Sequence, residues 1–492
     1  MQLDPNKPTI ILATSNGVGM GHLARASAIS MYAREWSNVI IVSMASGVAM
    51  IPTAMGLLVE YIPGRDRNLM PRKNWDKYLA DRLVALIDET KAVLLTFDGV
   101  IPYPGILATK SARPAVKLVW IRRGLWQEKP HRHLLGVHSK LMDFVIEPGD
   151  YAREYDAGPT ADRTDAKLTS PVSLYQESEI IPKKEAEHIL DLDPSRPAML
   201  LQLGTGDADV NEKMRVVLEE LSHWRDLQVV MTKAPMDSDG QSLAPKNLDI
   251  KVVKYFPLAN LLSAFDGAIA AAGYNSVHEL LPAKVPTLFI PNIRGTDNQA
   301  ARARWCADAG ISLYADQENL EDIREKVHKL IDPDTRRKLR ENCLTLSSPE
   351  GNKEASKLLQ SVIKMSSNDI QFQLRYISYS LQRNLTKKMR SLLISVIRKM
   401  SQVYNYLKKR DPIEGKKEEI IIKFSTSIDQ KYLLKEISKF QGFEHILIHA
   451  SSSYRKSRIQ IAATAYGQGL DSTTFESLMN EYHETIIERS GI

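Results

Sequence analysis

The stretch that most constrains this chain is Ile10 to Ser30, which reads IILATSNGVGMGHLARASAIS. Three β-favouring apolar residues, Ile10, Ile11 and Leu12, run into a glycine-rich turn from Asn16 to Gly21. A helix-forming run with Ala24, Ala26, Ala28 and Ile29 follows. Strand, glycine turn and helix in succession form the opening unit of a nucleotide-binding α/β domain. The turn lets backbone approach a ligand closely, and the new helix turns free N–H groups toward an anion. Gly17, Gly19 and Gly21 do not reproduce the dinucleotide fingerprint. What sharpens the signal is His22 directly after the last glycine, with Arg25 one turn later. Placed there, His22 faces whatever occupies the loop and is suited to general-base work near neutral pH. The competing reading is a buried histidine that only satisfies a backbone carbonyl.

The pattern then repeats. Strand-like runs fall at Val39–Met44, Val93–Phe97, Lys117–Ile121 and Phe144–Ile146, with helical patterns at Asp76–Thr90 and after Gly47. Strands alternating with helices predict a mostly parallel sheet covered on both faces, with ligands beyond the carboxyl ends of its strands. Asp98-Gly99 follows one such strand and Arg122-Arg123-Gly124 another. The arginines offer bidentate binding of a carboxylate or phosphate, against a reading as structural ion pairs. His131, His133 and His138 lie close together, but the residues around them lack a zinc pattern. Phe144 to Asp150 reads as the last strand of this domain, and Tyr151 to Thr169 as the interdomain connection.

A second start comes at Ala198–Gly206, where a strand enters the turn Gly204-Thr205-Gly206 and a helix follows over Asp209–Leu221. Amides of such a turn suit a diphosphate, although glycines there also serve geometry alone. Asp207-Ala208-Asp209 has the spacing of a metal-binding pair but reads as helix capping. Phe265–Ala272 is a short buried strand that ends at Gly273 and enters a helix. Asn275 or Ser276 is expected to cap that helix, with Glu279 in its first turns. The strand Val285–Pro291 leads to Asp297, Asn298 and Gln299 at the start of the helix Ala300–Ala309. That density of polar groups suits a polyhydroxylated ligand, while capping explains any one of them singly.

A length of 492 residues allows two or three domains. With 43% hydrophobic and 25% charged residues and a net charge of +6, the composition is that of an ordinary globular protein without the charge of a nucleic-acid binder. Cys306 and Cys343 give no disulfide framework or metal spacing, which points to a reducing compartment. The N-terminus lacks the regions of a signal peptide, and no run reaches the roughly 18 apolar residues of a membrane span. A cytoplasmic location, free or peripheral on the inner face of a membrane, is the expectation.

Together these pieces resemble a GT-B glycosyltransferase, closest to the group containing the lipid-linked N-acetylglucosaminyltransferase of peptidoglycan synthesis (family 28-like). The likeness runs from about Thr9 to Leu359. It implies an α/β chain of two Rossmann-like domains facing a cleft, with the N-terminal domain (1–168) on the acceptor side and the C-terminal domain (169–365) holding a nucleotide sugar. By the resemblance, Gly19 and Gly21 of the first loop face the cleft, and Gly204, Thr205 and Gly206 lie near the diphosphate. Phe256 borders the base, and Gly273, Asn275 and Ser276 line the phosphate side. Glu279 holds the ribose, and Asp297, Asn298 and Gln299 address the donor sugar. The implied chemistry is inverting transfer with His22 as base, helped by Asp98, and with no metal or other cofactor strictly required. Arg122 and Arg123 are the acceptor candidates. The first loop departs from the usual glycine-threonine-glycine form, and its Gly-His-Leu-Ala-Arg run is also similar to a UDP-sugar hydrolase of pseudaminic acid synthesis, in which water is the acceptor. The rivals are therefore a nucleotide-sugar hydrolase and a non-catalytic GT-B-like scaffold.

After Ser366 the composition changes. From Ile370 to Leu407 apolar residues recur every three or four positions, opposite a basic face that includes Arg375, Lys387, Lys388, Arg398 and Arg410. This predicts an amphipathic helical segment (366–412), for anionic lipid or for oligomerisation. Beyond it the order strand (Glu419–Phe424), helix (Gln430–Phe440), strand (His445–His449), strand (Arg458–Ala463) and helix (Ser472–Arg489) predicts a small ferredoxin-like α+β module (413–492) without its last strand. The expected partners are a nucleotide-sugar donor and a saccharide or lipid-linked acceptor of an envelope or polysaccharide pathway, with no nucleic acid.

Overall fold

A computed structural model describes residues 3–15, 20–45, 54–65, 70–127, 132–204, 208–232, 245, 247–292 and 295–366, then 372, 373, 375, 376, 379, 417–425, 458–466 and 485–491. The chain divides into two compact units. The first takes in residues 1–110 and 115–367, and the second residues 111–114 and 368–492.

The first unit opens with β1 (Thr9–Thr14), α1 (Gly21–Ala33), β2 (Asn38–Ser43) and β3 (Leu58–Tyr61). α2 (Arg72–Thr90), β4 (Leu94–Asp98), α3 (Pro104–Ala112), β5 (Lys117–Ile121), α4 (Arg132–Ser139), β6 (Phe144–Glu147) and β7 (Lys167–Leu168) complete its first lobe. The seven strands are ordered β3-β2-β1-β4-β5-β6-β7, and each pairing is parallel. All residues of β1, β4 and β5 are buried, as a sheet covered on both faces requires. The sequence reading ended the sheet at Phe144–Ile146. The structure adds β7 at the edge, a two-residue strand too short to leave a periodic signal, and Thr169 N–H continues its pairing by donating to Glu147 O at 3.1 Å.

The second lobe comprises α5 (Lys183–Ile189), β8 (Ala198–Gln202), α6 (Ala208–Leu221), β9 (Gln228–Thr232), β10 (Asp249–Val253), β11 (Gly267–Ala270), α7 (Tyr274–Leu280) and β12 (Thr287–Phe289). α8 (Gln299–Asp308), β13 (Leu313–Tyr314), α9 (Leu320–Ile331) and α10 (Pro333–Asn342) follow. Its sheet order is β10-β9-β8-β11-β12-β13, again parallel throughout. In both sheets the strand order reverses beside the first strand, between β1 and β4 and between β8 and β11. Those reversals open crevices at the strand ends, where doubly wound sheets bind ligands.

α11 (Gly351–Ile363) crosses back to the first lobe. Ala355, Leu359 and Val362 join Val172 and Leu174 in the core built on β1 and α1, and Trp36 Nε1 donates to Ser356 Oγ at 2.9 Å. Gly351 permits the crossing, since a Cβ there would lie 2.1 Å from Ser170 O. The lobe boundary expected at residue 169 is thus not a clean cut, because burial of that apolar helix face outweighs chain order. α7 also starts differently from the expectation. Gly273 is its N-cap, with no side-chain cap bond, and Asn275 and Ser276 fall inside the first turn.

In the second unit, β14 (Lys417–Ser425), β15 (Arg458–Tyr466) and β16 (Thr485–Gly491) form an antiparallel sheet in the order β15-β14-β16. The two strands expected near Glu419 and Arg458 are present. The helix expected over Ser472–Arg489 is corrected at its end, where Thr485, Ile486 and Ile487 open a strand; β-branched residues fit a ladder better than a helix. The expected helix Gln430–Phe440 and strand His445–His449 lie outside the described residues. So does nearly all of the amphipathic segment Ile370–Leu407, as well as the helical pattern after Gly47. Among the described residues no helix is long and apolar enough to cross a membrane.

Candidate active site

The crevice of the first sheet holds a compact polar triad. His22 enters on the first turn of α1 and Asp98 ends β4, and Ser15 N–H, donating to Asp98 O at 2.8 Å, joins the two strand ends. His22 Nδ1 lies 2.6 Å from Asp98 Oδ1. Arg25 donates from Nε to Asp98 Oδ2 at 2.9 Å and from Nη2 to Oδ1 at 2.6 Å. A carboxylate only accepts, so the short contact puts the proton on His22 Nδ1 and leaves Nε2 with the free lone pair. The 2.8 Å approach of Arg25 Nη2 to Nδ1 is then a neighbour contact between two donors.

The electrostatics favour a neutral imidazole. Burial lowers the pKa of His22 below 6.5, and the nearby Arg25 and Arg123 add to this against the pull of Asp98. Burial alone would raise Asp98, yet Arg25 and His22 hold it below the usual carboxylate range. Asp98 and Arg25 are 1% and 3% exposed while His22 keeps 17%, so the imidazole is the most accessible member of the three. The sequence marks Arg25 only by its spacing of three from His22, which puts both on one helix face.

The second lobe closes on this triad. Asn275 Nδ2 donates to Gly21 O at 3.3 Å, so the first loop and α7 meet across the crevice. The Arg25 guanidinium lies 5.2 Å from the centre of the Tyr274 ring. Tyr274 in turn donates to Gly149 O at 2.8 Å and accepts from Val172 N at 2.9 Å. Gly204 stands at the end of β8 with φ +90°, a conformation that costs glycine little. Phe256 packs at the edge of the first-lobe core. Gly19, Thr205 and Gly206 lie outside the described residues.

Glu279 differs from its neighbours. Desolvation pushes its carboxyl up to about 8, with no cation among the described residues to offset the burial. At neutral pH such a carboxyl is mostly protonated, and hydrogen bonds donated to it would favour its ionised form.

Asp297, Asn298 and Gln299 gather as expected, but Asp297 and Gln299 are strongly engaged with protein. Asn298 caps α8 by accepting from Ala301 N at 3.1 Å. Gln299 accepts from Asn292 N at 3.0 Å and donates to Asp297 Oδ2 at 3.3 Å. Asp297 pairs with Arg302 at 3.0 Å and with Arg123 at 3.3 Å. Burial works against its charge, but Arg123 and Arg302 hold its pKa down at about 2. Arg302, which the sequence reading missed, is completely buried and also reaches Asp150 of the first lobe at 2.9 Å and Ala272 O at 2.8 Å. Its isolated place on a helix gave no signal of that role.

Arg122 and Arg123 separate. Arg122 is fully buried and ion-paired with Glu147 and Asp165, each at 3.0 Å, which leaves it no surface for an acceptor. Arg123 faces the second lobe through Asp297. The segment from Leu125 to Gln127 clamps the same place: Asn298 N donates to Leu125 O at 3.1 Å and Gln127 N to Thr296 O at 3.0 Å. Leu125 holds φ +54° there, fixed by Asp156, which accepts from its N–H at 3.0 Å.

Residues 203–359 match the glycosyltransferase family 28 C-terminal domain. Over 142 residues the chain is 27% identical to 4'-demethylrebeccamycin synthase of Lentzea aerocolonigenes, covering 29% of this chain and 32% of that protein. The match thus spans about a third of that curated relative's length. A glycosyltransferase from Rickettsia africae ESF-5 shares the fold at 13% identity, with a TM-score of 0.52 over 73% of this chain and 100% of that one. MurG of Acinetobacter baumannii is similar at 17% identity, covering 72% and 99%, with a TM-score of 0.48. Two parallel Rossmann-like sheets and the crossing C-terminal helix give the chain a GT-B fold, and residues 203–359 within it match the glycosyltransferase family 28 C-terminal domain.

Proposed function

We propose that the chain is a glycosyltransferase that moves a sugar from a nucleotide diphosphate sugar, a UDP-sugar in our reading, to the hydroxyl of an envelope or polysaccharide acceptor with inversion. The observation that carries this reading is His22, its Nδ1–H held by Asp98 and its Nε2 left free. The acceptor oxygen attacks the anomeric carbon while the bond from that carbon to the diphosphate oxygen breaks, and the acceptor proton passes to His22 Nε2. Asp98 stabilises the imidazolium that forms, and Arg25 keeps Asp98 ionised before and after the step. The donor lies against the second lobe, with Glu279 accepting from ribose hydroxyls and the turn at Gly204, Thr205 and Gly206 offering amides to the diphosphate. Asn298 and Gln299 border the sugar. Asp297 acts mainly by ordering that loop through Arg123 and Arg302.

The test measures release of free nucleotide from UDP-, GDP-, CDP- and dTDP-sugars, with and without a membrane lipid extract. Release that requires the extract supports a transferase with a lipid-linked acceptor, whereas release without it moves the assignment to the hydrolase. In either case His22→Ala is expected to lower turnover by about 10²–10⁴-fold with nucleotide binding intact. Unchanged turnover overturns the assignment of the base.

A further inference from the structure

Away from the triad, two helices of the second lobe bring three metal-binding side chains together. Glu220 lies in the last turn of α6, His223 follows just beyond that helix, and His328 comes from α9, which packs alongside. One ligand atom from each residue lies within 4.8 Å of the other two. Glu220 Oε2 is 2.6 Å from His328 Nε2 and 3.6 Å from His223 Nδ1. The two imidazoles are nearly parallel, 22° apart in plane, with ring centres 6.1 Å apart.

The surroundings aim the carboxylate. Glu220 is only 7% exposed, and Arg324 occupies its other oxygen, Oε1, at 2.5 Å. Arg324 is itself held near Glu219 and Glu321, and Arg215 bridges Glu219, so the local cations are directed away from Oε2. Both histidines are more than half exposed and reach water on their open sides. We propose that Glu220, His223 and His328 form a binding site for one divalent transition metal ion of the zinc class, tying the end of α6 to α9. Two imidazoles and one carboxylate are a common three-ligand set for zinc, with water in the fourth place. Bond lengths of about 2.0–2.2 Å around a tetrahedral ion set neighbouring ligand atoms about 3.3–3.6 Å apart. The His223 distance already suits this, and rotation of the exposed His328 supplies the rest. The ion would reinforce a packed pair of helices, because Val217 and Leu221 of α6 share one core with Val327 and Leu330 of α9.

The test uses the untagged full-length chain, stripped of metal by a chelator and titrated with Co²⁺ by visible absorption, then with Zn²⁺ as competitor. One equivalent of Co²⁺ should bind and be displaced by Zn²⁺, and Zn²⁺ should raise the thermal midpoint. His328→Ala and His223→Ala are surface changes compatible with folding. Each should weaken binding by at least about tenfold and abolish the thermal shift, since loss of even an outer partner of a metal ligand costs about that much. His188→Ala, an exposed histidine on α5, should behave as wild type. The proposal is overturned if the wild type takes up no saturable equivalent, or if the His223 and His328 variants bind as tightly as the His188 variant. The three groups are then only a surface polar cluster. This inference does not depend on the transferase assignment.

Discussion

Replacing Glu279 by Gln should make the protein more stable above neutral pH while weakening its hold on a nucleotide. Burial raises the carboxyl from 4.5 to about 8 in the folded state. Between those two values the folded protein binds more protons at this site than the unfolded chain, so stability falls as pH rises through the window. At about 1.4 kcal/mol per pH unit the full shift sets an upper bound of about 5 kcal/mol, present only above pH 8. Glu279 is only partly buried, so we expect on the order of 1–3 kcal/mol. Glutamine cannot ionise and escapes this cost. Urea denaturation of both proteins at pH 5, 6.5 and 8.5 should therefore show a stability gap in favour of Glu279→Gln that opens as pH rises. Added UDP should narrow the gap, because ribose hydroxyls that donate to the ionised carboxylate offset its desolvation only in the wild type. A gap independent of pH would refute the desolvation argument. A gap that opens but ignores UDP would refute the ribose contact.

Asp98→Asn keeps the shape of the triad but removes the charge that fixes His22 Nδ1–H and neutralises Arg25. Turnover should drop by about 10³–10⁴-fold, and denaturation should show a loss of about 3–5 kcal/mol for the stranded guanidinium. Wild-type stability in that variant would mean that the buried pair is not formed. Because burial lowers His22 below 6.5, the active free base persists into mildly acid solution, and the acid limb of kcat/KM should lie below pH 6.5. A limb centred above that value would contradict the neutral imidazole. Arg302→Met strands Asp150 and leaves Asp297 to Arg123, and should cost about 3–5 kcal/mol in a denaturant titration; an unchanged midpoint would show that the link between the lobes is dispensable.

Much of the site was legible because its elements are local. A histidine after a glycine turn, an aspartate at a strand end and a glutamate on the short helix that follows a strand are each set within a few residues, and the alternation of strands and helices puts them on the strand ends and the helices that follow them. Capping was the weaker guide. Asn298 caps as expected, whereas α7 starts one residue after Gly273 and places Asn275 where it reaches Gly21 instead. The two arginines of Arg122-Arg123 show the limit most clearly. They are identical in local chemistry, yet one is spent on Glu147 and Asp165 and the other faces Asp297, because neighbouring residues at a strand end project in different directions.

By itself the sequence determined two Rossmann-like domains and the strand–helix units that open them, and it singled out His22 as the candidate base, since backbone propensity and hydrophobic period act over short spans. Only the tertiary structure decided which polar groups meet. The junction of Arg25 with Asp98, the ties from Arg302 to Asp150 and Asp297, the return of α11 to the first lobe, and the approach of His328 to Glu220 join residues from separate elements. These groupings follow from chain topology and from the burial of apolar faces that force distant charges to find one another. No local pattern encodes them, because the free energy that selects them is that of desolvating a charge and pairing it again, and it exists only once the core has closed.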